Sequence, residues 1–110
     1  MRNGIYEATF TTNHGTLGTA AVLIKNDSFV GADGLQFYRG AIETMDGSVR
    51  VIMEVTRHNF SVESAFGTEP LFTLTWSGEE IDDSAFKLAC EPPGLAITIY
   101  VSGKLVKEVG

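Results

Sequence analysis

Cys90 is the only cysteine in this chain of 110 residues, so no intrachain disulfide can staple the fold. Its alternation with Phe86 and Leu88 places it among apolar neighbours, as a small buried side chain rather than a reactive thiol. Histidine is nearly as scarce. His14 falls in a turn-like stretch and His58 beside Arg57 and Asn59, neither with a serine, cysteine or carboxylate arranged as a nucleophile motif. Two histidines, one cysteine and scattered carboxylates also lack the close ligand spacing of a structural zinc site. Glycines at 31, 34 and 40 are not followed by the Lys and Ser/Thr that complete a phosphate loop. No catalytic residue, metal ligand or cofactor is expected, and the chain reads as non-enzymatic.

Basic residues are the next shortage. Lys and Arg number 8 against 14 Asp and Glu, a formal net charge of −6. That balance argues against direct nucleic-acid binding, which needs a basic footprint, and is compatible with a basic protein partner. No apolar run approaches the ~20 residues of a membrane helix. The opening MRNGIYEATF alternates at once and lacks a signal-peptide core, so the expectation is a cytoplasmic protein with no membrane contact.

What is abundant is period-two alternation. Between Ser48 and Phe60, Val49, Val51, Met53 and Val55 fall on one face, with Arg50, Glu54, Thr56 and His58 largely on the other. Such a run, rich in β-branched residues, predicts a long half-buried strand. Tyr38, Gly40 and Ile42 alternate in the segment before it, and Met45-Asp46-Gly47 separates the two. A strand–Asp-Gly–strand arrangement is a strong hairpin signal and pairs 36–44 with 48–58.

The same reading gives strands over Gly4–Thr11 and Gly18–Ile24, joined by the turn Thr12–Gly15. Lys25–Ser28 turns into a short strand at Phe29–Gly31. Val62, Ala65 and Phe66 are spaced for one or two helical turns within Ser61–Glu69, and a packed loop is the alternative. Leu71–Trp76, Phe86–Cys90 and Leu95–Val101 are further strands, with Ser102–Lys104 as a last turn into Leu105–Val109. Pro92 and Pro93 cannot donate ladder hydrogen bonds and must lie outside the paired sheet. Residues 1–110 thus form a single all-β domain, a small antiparallel β-barrel of seven or eight strands with at most one short helix. A barrel is favoured over a sandwich because closure removes exposed sheet edges.

Two groups of residues are candidates for function. Ser77–Asp83 reads as a solvated acidic turn carrying Glu79, Glu80, Asp82 and Asp83, without the glycine-centred spacing of a calcium loop. Aromatics recur on nearly every strand, as core filling or as the lining of an interior that admits an apolar ligand. Tyr38, Met53, Phe72 and Trp76 are the candidate interior contacts.

Gly4-Ile5-Tyr6, Leu23-Ile24-Lys25-Asn26 after Gly18, Gly31-Ala32-Asp33, Phe37-Tyr38-Arg39-Gly40 and Arg57-His58-Asn59-Phe60 after Val55 occur in an order that resembles the GrlR-like family. Its named members are negative regulators of type III secretion gene expression in enteric pathogens. The resemblance runs from Gly4 to about Leu74. It implies a lipocalin-like barrel, a homodimer, and regulation by binding a transcriptional activator protein rather than DNA. The family's characterised regulator holds its activator through a loop of four consecutive carboxylates. The matching turn here, Thr44-Met45-Asp46-Gly47, keeps Asp46 with Glu43 just before it and departs from that run. Two functions are therefore expected to compete. One is a regulatory module that binds a basic surface of a transcriptional regulator through Glu43, Asp46 and the acidic stretch. The other is a carrier of small apolar ligands.

Overall fold

The alternating stretch around Val51 is a strand that buries Val49, Val51, Met53 and Val55 and turns Arg50, Ile52 and Thr56 outward. It is the fifth of eight in this computed structural model, which describes residues 1–58, 71–94 and 96–109. The strands are β1 (Gly4–Thr12), β2 (Gly15–Lys25), β3 (Ser28–Ala32), β4 (Gln36–Met45), β5 (Ser48–Arg57), β6 (Leu71–Asp82), β7 (Ala85–Cys90) and β8 (Ile99–Glu108). Each pairs antiparallel with its neighbours in sequence, and β1 also pairs with β8, closing the sheet into a barrel.

Local chemistry fixes two of the hairpins. Asp46 and Gly47 connect β4 to β5 with φ of 52° and 84°, and Asn26 and Asp27 connect β2 to β3 with φ of 52° and 61°. Positive φ at both central residues gives a turn whose twist matches that of paired strands, and Asn, Asp and Gly tolerate it best. The ladder that follows runs without interruption from Met45↔Ser48 to Gln36↔Arg57, the pairing expected from the sequence. Tyr38 and Ile42 of β4 join Val51 and Val55 inside.

The register slips once each in β1–β2, β6–β7 and β1–β8. Leu17, Ile81 and Val106 are the residues skipped in those ladders, and all three are exposed. An extra residue in one strand has no partner opposite it, so these apolar side chains point outward for reasons of register.

Three expectations are corrected. Ser77–Asp83 is not a turn: β6 continues to Asp82, and only Asp83 and Ser84 turn the chain. Ser48↔Glu79 on one side and Glu79↔Lys87 on the other hold its backbone between two strands, while Ser77 and Glu79 face water. Nor do Ser102–Lys104 turn, because β8 is continuous from Ile99 to Glu108. Gly103 there lies under the ring of Phe86, which occupies the space a Cβ would need. That final strand starts at Ile99 rather than Leu95, and Leu95 is outside the described residues. So is the candidate helix within Ser61–Glu69; the described residues contain no helix.

The alternation in β5 yields a sharp test. Val51→Asp puts a carboxylate into the apolar interior and should cost about 3 kcal/mol or more in urea unfolding. Ile52→Asp, one residue on, faces out and should cost about 1 kcal/mol or less. Equal losses would mean that β5 is out of register.

Candidate functional site

Inward-facing side chains of all eight strands meet around a central void of about 50 Å³, lined entirely by apolar residues and by tyrosine and tryptophan rings. Phe10 lies between Tyr38 and Trp76, with ring centroids 5.7 and 5.9 Å apart. Of the four interior contacts expected from sequence, Tyr38, Met53 and Trp76 line the void. Phe72, near the start of β6, is half-buried and rests against the core without reaching it. Trp76 is 1% exposed, and its indole N–H has no hydrogen-bond partner among the described residues.

Hydrogen-bonded polar side chains that reach the interior lie toward the two ends of the barrel. At one end, Asp33 stands between β3 and β4 and accepts the backbone N–H groups of Leu35 and Gln36, each at 2.8 Å, on Oδ1. Its other oxygen accepts the Tyr38 hydroxyl at 2.5 Å, and Gln36, 1% exposed, lies 3.0 Å from the same hydroxyl. Burial, then the hydrogen bond to Asp33, raises the Tyr38 phenol far above its ordinary range, so it stays protonated. His58 packs its ring on Phe37 at 4.3 Å and contacts the Asp33 carbonyl through Nε2 at 3.1 Å. His14 sits in the β1–β2 turn, also at this end. No cluster of three or more metal-ligating side chains occurs among the described residues.

At the opposite end, Met1, Arg2 and Asn3 form a strap across the barrel mouth. The Met1 side chain is 2% exposed and lines the void, and its ammonium lies 2.7 Å from the buried Oε1 of Glu80. The Arg2 N–H donates to the Asp83 carbonyl at 2.9 Å, and the Arg2 carbonyl accepts the Tyr6 hydroxyl at 2.7 Å. The Arg2 guanidinium reaches Asp83 at 3.2 Å and Glu108 at 3.4 Å. The Val109 N–H donates to Asn3 at 3.2 Å. Nothing in the alternation of the opening residues signals this strap, because its partners are the β6–β7 turn and the last strand.

The acidic candidates all gather at the strap end. The Glu80 N–H donates to the Gly47 carbonyl at 3.1 Å, which sets the β4–β5 turn beside β6. Glu43 faces Arg50 at 4.0 Å, and Asp82 accepts the backbone N–H and hydroxyl of Ser84, which hold its carboxyl below the usual range. Asp46 and Glu79 have no cationic partner among the described residues. On the outer wall, Leu23, Val30, Ala41 and Ile52 border a shallow groove crossed by the Arg39–Glu54 ion pair at 3.0 Å.

Cys90 is buried as expected, and burial, then Glu91, pushes its thiol from an ordinary 9.0 up to about 11. A folded pKa above the unfolded one means that stability is full below pH 9 and is lost as pH rises toward 11. The loss should approach ~1.4 kcal/mol per pH unit in that window, and Cys90→Ala should remove it. Urea midpoints at stepped pH values would check this, and identical slopes for both proteins would show that the thiol is accessible. Against known proteins, no family model matches the chain and no curated protein matches it, so the resemblance drawn from short motifs assigns no family.

Proposed function

We propose that this barrel binds a small apolar molecule in a lipocalin-like interior. The reading is carried by the void at its centre, where inward side chains of all eight strands, the Trp76 ring among them, form a wholly apolar wall. An interior built for stability alone is close-packed and leaves few spaces larger than a water molecule. Ligand sites differ from it by having an apolar wall with a few placed polar groups. Trp76 reports on the site directly, being the only tryptophan. Straight-chain alcohols of increasing length, titrated against its emission, should give a saturable change with the shorter members. An organic extract of protein purified from its own cells should contain an apolar compound. If no alcohol alters the emission and the extract is empty, the interior is core and nothing more.

A second reading rests on a separate observation, the convergence of Glu43, Asp46, Glu79, Glu80, Asp82 and Asp83 on one end of the barrel. That end would receive a basic surface of a protein partner such as a transcriptional regulator. Complementary charge steers encounter and orientation, and exposed rim charges change affinity modestly. Glu43→Gln with Asp46→Asn should leave folding intact and weaken a partner retained from native cells, more so at low salt. A partner that binds this variant and a Glu79→Gln, Asp82→Asn variant as tightly as the parent would rule out recognition by the acidic end.

A further inference from the structure

The outer faces of β4 and β5 carry a charge pattern with a symmetry of its own. Along their shared ladder Phe37 stands opposite Thr56, Arg39 opposite Glu54, Ala41 opposite Ile52 and Glu43 opposite Arg50. All of these point away from the core. Arg39 lies 3.0 Å from Glu54 and Arg50 lies 4.0 Å from Glu43. The two ion pairs run in opposite senses, because β4 supplies the cation in one and the anion in the other. The four charges therefore mark the corners of a rectangle, like signs on its diagonals, around the apolar row of Ala41 and Ile52.

Turning such a face over onto a copy of itself puts every cation on an anion. About a two-fold axis along the strands, between β4 and β5, Arg39 comes over the partner's Glu54 and Arg50 over the partner's Glu43. The same rotation sets Ile52 over the partner's Ala41 and Phe37 over the partner's Thr56, so that both of these rows pack a large side chain on a small one. An axis across the strands also matches the charges but sets Ile52 against the partner's Ile52. A contact between identical copies requires this kind of self-complementary patch. The chain's formal net charge of −6 repels a second copy in general, whereas on this face two arginines balance two glutamates.

We propose that the outer wall of β4 and β5 is a two-fold interface with a second copy of this chain, its axis along the strands, in which Arg39 and Arg50 are shared between the glutamates of both copies. The inference is independent of what the interior holds. The strip is roughly 20 Å wide and 25 Å long, about 500 Å² per copy against about 800 Å² in a standard stable complex, so the dimer is weak. The acidic ends of both copies lie at the same end of it, and their repulsion weakens it further.

Sedimentation equilibrium over about 1 μM to 1 mM, where weak complexes dissociate, should show the parent passing from monomer to dimer. Arg39→Glu lays a carboxylate over the partner's Glu54 at two symmetric places and should weaken the dimer about tenfold or more. Ile52→Asp, in the middle of the strip, should weaken it about as much. Arg39→Glu combined with Glu54→Arg keeps an ion pair within the chain and reverses its sense. About the axis along the strands it again meets opposite charge, and it should dimerise within about threefold of the parent. About an axis across the strands, the new carboxylate at position 39 would lie over the partner's Glu43 and the dimer would be lost. Circular dichroism of each variant checks that it is folded.

A parent that stays monomeric up to about 1 mM overturns the interface. If it dimerises and a folded Arg39→Glu or Ile52→Asp variant dimerises as tightly, the contact lies elsewhere and the placement on β4 and β5 is wrong. A reversed pair that associates as poorly as Arg39→Glu alone overturns the axis.

Discussion

The pairing of β1 with β8 is the constraint on which the rest of the molecule depends. Without it the sheet would have two free edges and a single apolar face open to water. With it, the inward-facing residues of each strand line one interior, and the backbone groups of both terminal strands are paired. Tyr6, Ala8 and Phe10 on β1 and Ile99 and Val101 on β8 are buried only because their strands meet. The skipped residue Val106 sits in this seam and lets the ladder regain register where it slips. Closure also sets the strap. It brings Glu108 and Val109 beside Arg2 and Asn3, two ends of the chain that no local interaction would unite.

Much of the wall was legible in the sequence because its signals are local. Alternation of Val49, Val51, Met53 and Val55 tells which side of a strand is wet, and Asp46-Gly47 tells where the chain reverses. The errors arose where side-chain polarity was taken as a sign of an unpaired backbone. Glu79 and Asp82 look like turn residues, but an outward-facing strand position carries a charge at little cost once its backbone is bonded on both sides. Gly103 reads as a breaker until the Phe86 ring, seventeen positions earlier, is seen to cover it.

The candidate site divides along the same line. Tyr38, Met53 and Trp76 were within reach of sequence reasoning because alternation places them inside. The groups that give the interior its chemical character were not. Asp33 reads as a loop break and proves to anchor the Tyr38 hydroxyl, while Gln36 is a buried polar residue at the head of β4. Met1 and Arg2 find their partners some eighty and more positions away. That the Trp76 indole N–H meets no partner among the described residues is still less visible, since it is a property of what fails to face it.

The acidic end and the apolar interior meet at the strap. Glu80 and Asp83 are carboxylates that a basic partner would use, and they are also the latches of Met1 and Arg2. A cation that took those two oxygens would compete with the ammonium and the guanidinium for them. Met1 therefore ties the acidic end to the apolar interior, since its side chain lines the void while its ammonium meets Glu80.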